Sequence, residues 1–293
     1  MRVGVIDVGS NTVRLLVAGR QKGRIRPICE ERAQVGLARD IEQMGLISDV
    51  KLRLAADRAE AFAAQALQAG ASTIEVLVTA PGRQSRNGDL LVARIASATG
   101  FPVRALSAEE EGRLAFAGVA ASLPELPASL AVCDVGGGST QLVIGTGSGG
   151  PVWFRSLDFG SLRLTQRHFE ADPPRKSERA ALTAELEETF AGLAPPIPHL
   201  AVATGGTARA VRRIVGRTLG PKQLAKAMAR IARLPAAELV EKYDLPPWRG
   251  DTLLAGVMVL AEAQRRLGVP LEVARAGLRE GAAAELVEAA AAA

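Results

Sequence analysis

The chain has 293 residues, of which 48% are hydrophobic, 23% are charged and 3% are aromatic, and its formal net charge is +5. This length and composition exclude a disordered chain and leave room for two domains, while two cysteines, Cys29 and Cys133, are too few for a disulfide scaffold. No apolar run reaches bilayer-spanning length and the N-terminal residues are not typical of a signal peptide, so we expect a cytoplasmic protein without a membrane partner.

The first predicted hairpin surrounds a glycine-rich turn near the N-terminus. Strands are predicted at residues 3–8, 13–19 and 24–33. Asp7 lies near the end of the first strand, and the turn that follows contains Gly9, Ser10, Asn11 and Thr12. Glycine lacks a Cβ, so backbone amides there can approach an anion closely, and the hydroxyls add donors.

Helices and strands alternate through the rest of the first half. Residues 48–69 predict a helix capped by Ser48, and residues 87–99 predict another capped by Asn87. Strands are predicted at residues 74–78 and 102–106, and residues 37–44 remain ambiguous. Ser107 and Glu110 form a capping box that begins a helix to about residue 121. This order predicts an α/β domain with a mixed sheet over residues 1–124.

The second half begins with the same pattern. Strands are predicted at residues 130–135, 141–145 and 152–157, with helices at 160–169 and 177–192. A strand beginning at Leu200 leads into a helix, and further helices are predicted to residue 267, followed by a strand at 271–275 and a terminal helix. Residues 125–293 are assigned to a second domain, and the terminal helix, about residues 283–293, is a candidate to pack on the first.

The turn after residues 130–135 repeats the first one. Asp134 is followed by three glycines, Gly136 to Gly138, and then by Ser139 and Thr140. A third turn, Gly205-Gly206-Thr207, opens a helix whose amides and dipole favour an anion. One such turn is compatible with an ordinary hairpin. The repeated hairpin instead indicates two related domains that each present a turn to a shared cleft.

These motifs resemble the Ppx/GppA phosphatase family of the actin, Hsp70 and sugar kinase superfamily. The resemblance is carried by residues 7–12 with Arg14, by Glu110-Glu111-Gly112-Arg113-Leu114, by residues 134–140 and by Gly277-Leu278-Arg279-Glu280-Gly281. It implies an α/β fold with two related RNase H-like (actin-like ATPase) domains, mixed sheets flanked by helices and an interdomain cleft. It corresponds to a short form without the extra C-terminal domains of longer members.

The resemblance implies release of terminal orthophosphate from inorganic polyphosphate, from guanosine pentaphosphate, or from both. Glu111 matches the family's catalytic glutamate, which would accept a proton from the attacking water. The alternative is that Glu109, Glu110 and Glu111 only complement the dipole of a first helical turn. Glu110 already has a structural role in the capping box.

The substrate phosphates are expected to contact the three turns and two arginines. Arg83 lies where the family has a phosphate-binding arginine, and a guanidinium suits bidentate bonding. Asp134 and, second to it, Asp7 are candidates to hold Mg²⁺ or another divalent cation. The full set of phosphate-binding candidates is Gly9, Ser10, Asn11, Thr12, Arg14, Arg83, Gly136, Gly137, Gly138, Ser139, Thr140, Gly205, Gly206 and Thr207.

One position departs from the family. Gln141 stands where the family usually has glutamate, and a carboxamide can bind a water but cannot supply negative charge. We therefore expect a weaker metal site or a differently held water there. This departure favours a second hypothesis, a weakly active or inactive regulatory protein that binds polyphosphate or guanosine tetra- and pentaphosphate. A third is an ATP-dependent small-molecule kinase.

Positive charge is concentrated after the third turn. Between residues 189 and 240 the only acidic residue is Glu238, against eight arginines and lysines from Arg209 to Arg233. A polyanion held by successive cations is one interpretation, and a solvated basic face is the other. Few aromatic side chains are available to stack bases, which disfavours nucleic acid. The oligomeric state is open, with a homodimer as one candidate.

Overall fold

The computed structural model describes residues 1–21, 24–146 and 149–292 and divides into two compact units. The first unit contains Met1–Leu123 and Ala276–Ala293, and the second contains Pro124–Arg275. The terminal segment therefore groups with the first unit, whereas the sequence analysis assigned residues 125–293 to the second domain. None of the helices in the described residues is long and apolar enough to cross a bilayer.

The first unit is built on a five-stranded mixed sheet. Strand β1 pairs antiparallel with β2 and parallel with β4, and the strand order is β3-β2-β1-β4-β5. Its elements are β1 (Arg2–Val8), β2 (Thr12–Gln21), β3 (Arg24–Gln34), α1 (Leu37–Met44), α2 (Asp49–Gln68), β4 (Thr73–Val78), α3 (Ala80–Gln84), α4 (Gly88–Thr99), β5 (Val103–Ala105), α5 (Ala108–Ser122) and the terminal helix, numbered α12 (Leu278–Ala292).

Side chains of β1 lie in the hydrophobic core of the first unit. Ile6 and Val8 lie in one cluster with residues of α2 and α4, such as Phe62 and Leu91. Helix α12 packs against β1, β2 and α5. The α5–α12 approach is very close, because a Cβ on Gly118 would lie 2.0 Å from the Gly277 carbonyl oxygen. Glycine at this crossing lets the two backbones touch.

The second unit has a six-stranded sheet of order β10-β11-β9-β6-β7-β8. One face packs on a core that includes Cys133, Leu142 and Phe190 together with the apolar helix α11. Its elements are β6 (Leu130–Val135), β7 (Thr140–Thr146), β8 (Gly150–Leu157), α6 (Ser161–His168), α7 (Lys176–Ala191), β9 (Leu200–Thr204), α8 (Gly205–Val215), β10 (Thr218–Leu219), α9 (Pro221–Ile231), α10 (Ala236–Tyr243), a 3₁₀ helix (Pro247–Arg249), α11 (Leu253–Leu267) and β11 (Leu271–Val273).

The two sheets share one topology. In each unit the first strand pairs antiparallel with the second, the second with the third, and the first strand also pairs in parallel with the fourth, β4 in one unit and β9 in the other. The predicted fold class, two related α/β units with mixed sheets flanked by helices, is confirmed.

Most predicted elements agree with the structure, and the differences have physical reasons. The ambiguous residues 37–44 form α1, and the short α3 was not predicted because it contains Pro81 and Gly82. Asn87 lies at the N-cap of α4, but its side chain does not cap that helix. Its amide instead exchanges two hydrogen bonds with the backbone of Ile47, donating to O at 2.8 Å and accepting from N at 2.9 Å.

Candidate active site

The first glycine-rich turn joins β1 to β2 and is held by the chain that leads into α1. Its carbonyls are occupied: Asn11 O accepts from the amides of Val35 and Gly36, and Ser10 O accepts from Ala38 N at 2.9 Å. Gly9 N donates to Thr12 O at 3.0 Å, which closes the turn. Because these acceptors are taken up by the protein, the turn is suited to present donors to an anion.

The Lys51–Asp40 ion pair holds Gly36, whose amide donates to Asn11 O in the first turn. Lys51 Nζ donates to Gly36 O at 2.7 Å and to Asp40 Oδ1 at 2.5 Å. Ser48 N donates to Asp40 Oδ2 at 3.0 Å. Gly36 adopts a left-handed φ of 60°, which glycine accepts without strain. The α1–α2 region is thereby tied to the backbone that holds Asn11.

Asp7 lies on β1 directly opposite Arg14 on β2. Its Oδ1 is buried and, among the described residues, has no hydrogen-bond partner. Burial raises the pKa of this carboxyl above 3.8, although the charges of Arg14 and Arg279 act in the opposite direction. A buried carboxylate oxygen without a donor is suited to a cation or to a proton.

Glu111 and Arg83 form an ion pair within the first unit. Arg83 Nη2 lies 2.8 Å from Glu111 Oε2, and its Nη1 donates to Leu106 O at 2.7 Å. Glu111 is 9% exposed in the first turn of α5, although glutamate is seldom buried unless it is paired. The predicted capping box is confirmed, since Ser107 and Glu110 exchange both of its hydrogen bonds. Glu110 is thus occupied at the cap, while Glu111 points to the arginine.

The second glycine-rich turn is held by a helix start in the same manner as the first. Gly136 O accepts from Ser161 N at 2.9 Å, and Gly137 O accepts from the amides of Leu162 and Arg163 at 3.0 and 3.1 Å. Gly160 must be glycine here, because a Cβ would lie 2.5 Å from Gly136 O. The carbonyls of this turn are again occupied by the beginning of a helix, α6.

Asp134 joins the second turn to the third within the second unit. It pairs across the sheet with Gln141 on β7 and with Thr204 on β9. A Cβ on Gly205 would lie 2.7 Å from Asp134 Oδ1, and Gly205 has a φ of 88°. Only glycine therefore lets the start of α8 lie against this carboxylate.

Gln141 is buried, with 1% of its surface exposed, and its amide bonds to side chains of the turn region. Its Nε2 donates to Ser139 Oγ at 3.0 Å and to Ser156 Oγ at 3.3 Å. The neighbouring Thr140 donates its hydroxyl inward to Phe159 O at 2.9 Å. Both side chains thus have partners inside the protein, and Gln141 acts here as a donor.

Arg249 contacts the third turn and was missed by the sequence analysis. Its Nη1 lies 3.3 Å from Thr207 Oγ1, and a Cβ on Gly206 would lie 2.2 Å from its Nη2. It sits in the 3₁₀ helix Pro247–Arg249, which carries no phosphate-binding motif. Only the fold brings this guanidinium to the N-terminus of α8, so no local signal could have identified it.

The predicted site residues thus form one group in each unit. In the first, the 9–12 turn lies beside Asp7 and Arg14, and Arg83 is bonded to Glu111. In the second, the 136–141 segment, Asp134 and the third turn are neighbours, with Arg249 added. Among the described residues, no cluster of three or more His, Cys, Asp or Glu side chains is placed to hold a metal.

Comparison with known proteins decides the family. The model of the Ppx/GppA phosphatase family matches residues 16–290 of the chain. The chain belongs to this family. Exopolyphosphatase 1 of Mycobacterium tuberculosis is 31% identical over 299 residues, covering 96% of this chain and 87% of that protein. Exopolyphosphatase 2 of the same organism is 26% identical over 291 residues, covering 91% of each chain.

Solved Ppx/GppA structures share the fold. The Aquifex aeolicus family member has a TM-score of 0.82 at 26% identity, covering 99% of this chain and 98% of that one. An exopolyphosphatase from Cytophaga hutchinsonii has a TM-score of 0.89 at 20% identity, covering 99% and 98%. At 20% identity the second structure supports only the shared fold.

Proposed function

We propose that this chain is an exopolyphosphatase that removes terminal orthophosphate from inorganic polyphosphate. The observation that carries the proposal is the buried Glu111 held by Arg83 at 2.8 Å in the first turn of α5. Family membership supports it, as do the names of the mycobacterial relatives, both exopolyphosphatases. Guanosine pentaphosphate offers the same kind of terminal phosphoanhydride and is the second substrate class.

In the proposed mechanism Glu111 is the general base. Its carboxylate accepts a proton as water attacks the terminal phosphorus, the bridging P–O bond breaks, and the shortened polyphosphate leaves with the bond's electron pair. Arg83 uses two of its five N–H donors for Leu106 and Glu111, which leaves donors for a phosphate oxygen.

The turns and Arg249 are proposed to bind the non-reacting phosphates. The carbonyls of both glycine-rich turns are engaged by helix starts, so the turns are suited to offer donors. Arg249 adds a positive charge beside the amides that begin α8. That both units act on one substrate molecule remains a prediction.

A divalent cation fits the residues present only in part. Asp7 fits, because its buried Oδ1 has no hydrogen-bond partner among the described residues, and Asp134 offers a second carboxylate. Gln141 fits less well than the family's usual glutamate, because it is uncharged and its Nε2 donates to Ser139 and Ser156. We propose that Asp7 and Asp134, each within its own unit, are the residues that would hold Mg²⁺, which when bound would supply positive charge to neutralise phosphate.

A regulatory protein that binds the same ligands with little turnover is the second candidate. Gln141 favours it, because an uncharged amide stands where the family usually has a carboxylate. This amide donates to Ser139 and Ser156 inside the protein. The two candidates differ in whether Glu111 performs chemistry. Tight binding of polyphosphate with no release of orthophosphate would support the regulatory protein.

The test is orthophosphate release from long-chain polyphosphate and from guanosine pentaphosphate with Mg²⁺. Glu111→Gln should lower the rate by about 10²–10⁴-fold. Glu109→Gln is the matched control, since Glu109 is an exposed neighbour in the same helical turn, and it should retain the wild-type rate. Equal rates for wild type and Glu111→Gln would overturn the proposed base. Turnover seen only with ATP and an acceptor would identify a kinase.

A further inference from the structure

Helix α9, which follows the third glycine-rich turn in the sequence, carries an exposed row of positively charged side chains. We define the α9 stripe as Lys222, Lys226, Arg230 and Arg233, all of which are exposed. At about 100° per residue Lys222, Lys226 and Arg230 of α9 fall within a sector of roughly 80°, and Arg233 follows two residues after the helix ends at Ile231. The opposite side of the helix is buried through Leu224, Ala227 and Ile231.

The stripe residues have no acidic partners among the described residues, in contrast to two nearby arginines of the second unit. Arg213 pairs with Asp244 at 2.7 Å, and Arg217 pairs with Glu272 at 3.5 Å. Within the described part of the chain, none of the four stripe residues forms an ion pair. Arg230 Nη1 donates to the Ile214 carbonyl, which leaves its positive charge unbalanced.

This arrangement disfavours the helix that carries it. Lys222 and Lys226 are like charges at i, i+4, as are Lys226 and Arg230, and such pairs repel. Lys222 also lies in the first helical turn, where the macrodipole disfavours a cation. The exposed positions between them are Gln223, Ala225 and Ala229, so no acid relieves the repulsion. Arg230 has a structural return, because it lies in the last turn of α9 and bonds to Ile214 O. The two lysines have none, and their cost to helix stability points to a ligand.

We propose that the α9 stripe is an accessory site that holds the distal part of a long polyphosphate chain. A flexible polyanion matches a linear row of cations spaced about one helical turn apart. The inference rests on the proposed polyphosphate chemistry but assigns a separate site, which contributes binding and not catalysis. It predicts that chain length affects affinity: long polyphosphate reaches the stripe, whereas tripolyphosphate does not.

The test is the dissociation constant of labelled long-chain polyphosphate and of tripolyphosphate, measured in Glu111→Gln protein so that binding is read without turnover. Adding Lys222→Glu and Lys226→Glu should weaken long-chain binding by at least about fivefold at low salt and reduce its salt dependence. Tripolyphosphate affinity should not change. The matched control is Arg53→Glu with Arg58→Glu, which alters the same charge on exposed positions of α2 and should leave both affinities unchanged.

Several outcomes would overturn the site. These are unchanged long-chain affinity, equal weakening for tripolyphosphate, an equal effect of the control pair, and single-stranded DNA that binds through the stripe as tightly as polyphosphate. If the reversed charges disturb folding, Lys222→Gln with Lys226→Gln gives the same comparison. The readout is binding, so a wild-type protein that releases no orthophosphate would defeat the proposed function without deciding the stripe.

Discussion

Arg83 forms a hydrogen-bonded ion pair with Glu111, with 2.8 Å between Nη2 and Oε2, while its Nη1 donates to the Leu106 carbonyl. The side chains are 23% and 11% exposed, so this pair is shielded more than a surface ion pair. The arginine therefore has two functions in our proposal: it orients the base and it offers its remaining donors to phosphate.

Replacement of Arg83 should affect both binding and the chemical step. We expect Arg83→Ala to lower kcat/KM for polyphosphate by about 10²-fold, because it removes a phosphate contact and releases Glu111 from its orientation. Arg83→Lys should recover only part of this loss, since an ammonium cannot bond to Leu106, Glu111 and phosphate with the same planar geometry. Full activity in Arg83→Lys would contradict the dual role. Steady-state kinetics on all three proteins make the comparison.

Gln141→Glu should create a tighter cation site. The new carboxylate would lie directly opposite Asp134 across β6 and β7, and facing like charges are relieved by a divalent cation. We expect Mn²⁺ to bind at least about tenfold more tightly, by calorimetry, and Tm to fall in EDTA and recover with Mg²⁺. Gln141→Met separates loss of the amide from gain of charge. Identical Mn²⁺ affinity in wild type and Gln141→Glu would count against this account.

Asp40 should make stability depend on pH in a defined direction. Burial acts to raise the pKa of Asp40, but hydrogen bonds from Lys51 and Ser48 outweigh it and hold the pKa below 3.8. A depressed folded-state pKa stabilises the protein above the unfolded value, and this stability is lost as pH falls below about 3.8. Asp40→Asn should cost about 1–2 kcal/mol in the free energy of unfolding at pH 7, and less at pH 3. Denaturant titrations at the two pH values measure it, and a pH-independent difference would be the contrary result.

The α5–α12 crossing should tolerate no side chain at its glycines. A Cβ on Gly281 would lie 2.1 Å from Leu114 O, as close as the one on Gly118 would lie to Gly277 O. Gly118→Ala should therefore destabilise the protein by at least about 1–3 kcal/mol, because the helices must separate. Gly192→Ala is a suitable control, since nothing lies within 4 Å of its Cβ position. Similar Tm values for the two variants would argue against the close approach.

The fold could be predicted from the sequence because its signals are local. Strands next to Asp7 and Asp134 appear as apolar runs that end in glycine-rich turns, and the Ser107–Glu110 box marks the start of α5. The two-residue β10 and the five-residue α3 were missed, because so few residues carry no periodic pattern.

The candidate site residues could be proposed from the sequence only where they lie in motifs. The turns and Glu111 are of this kind. The contact of Arg249 with Thr207, and the bonds of Gln141 to Ser139 and Ser156, depend on neighbours chosen by the tertiary structure. The side chain of Asn87 shows the same limit, since it caps nothing and instead bonds to Ile47, 40 residues away.

The most direct test of water activation by Glu111 is orthophosphate release from polyphosphate in water enriched in ¹⁸O. The proposed attack at the terminal phosphorus predicts one solvent-derived oxygen in each orthophosphate released by the wild type, and a rate lower by about 10²-fold or more in Glu111→Gln. Orthophosphate released without solvent oxygen, or at the same rate by both proteins, would contradict it.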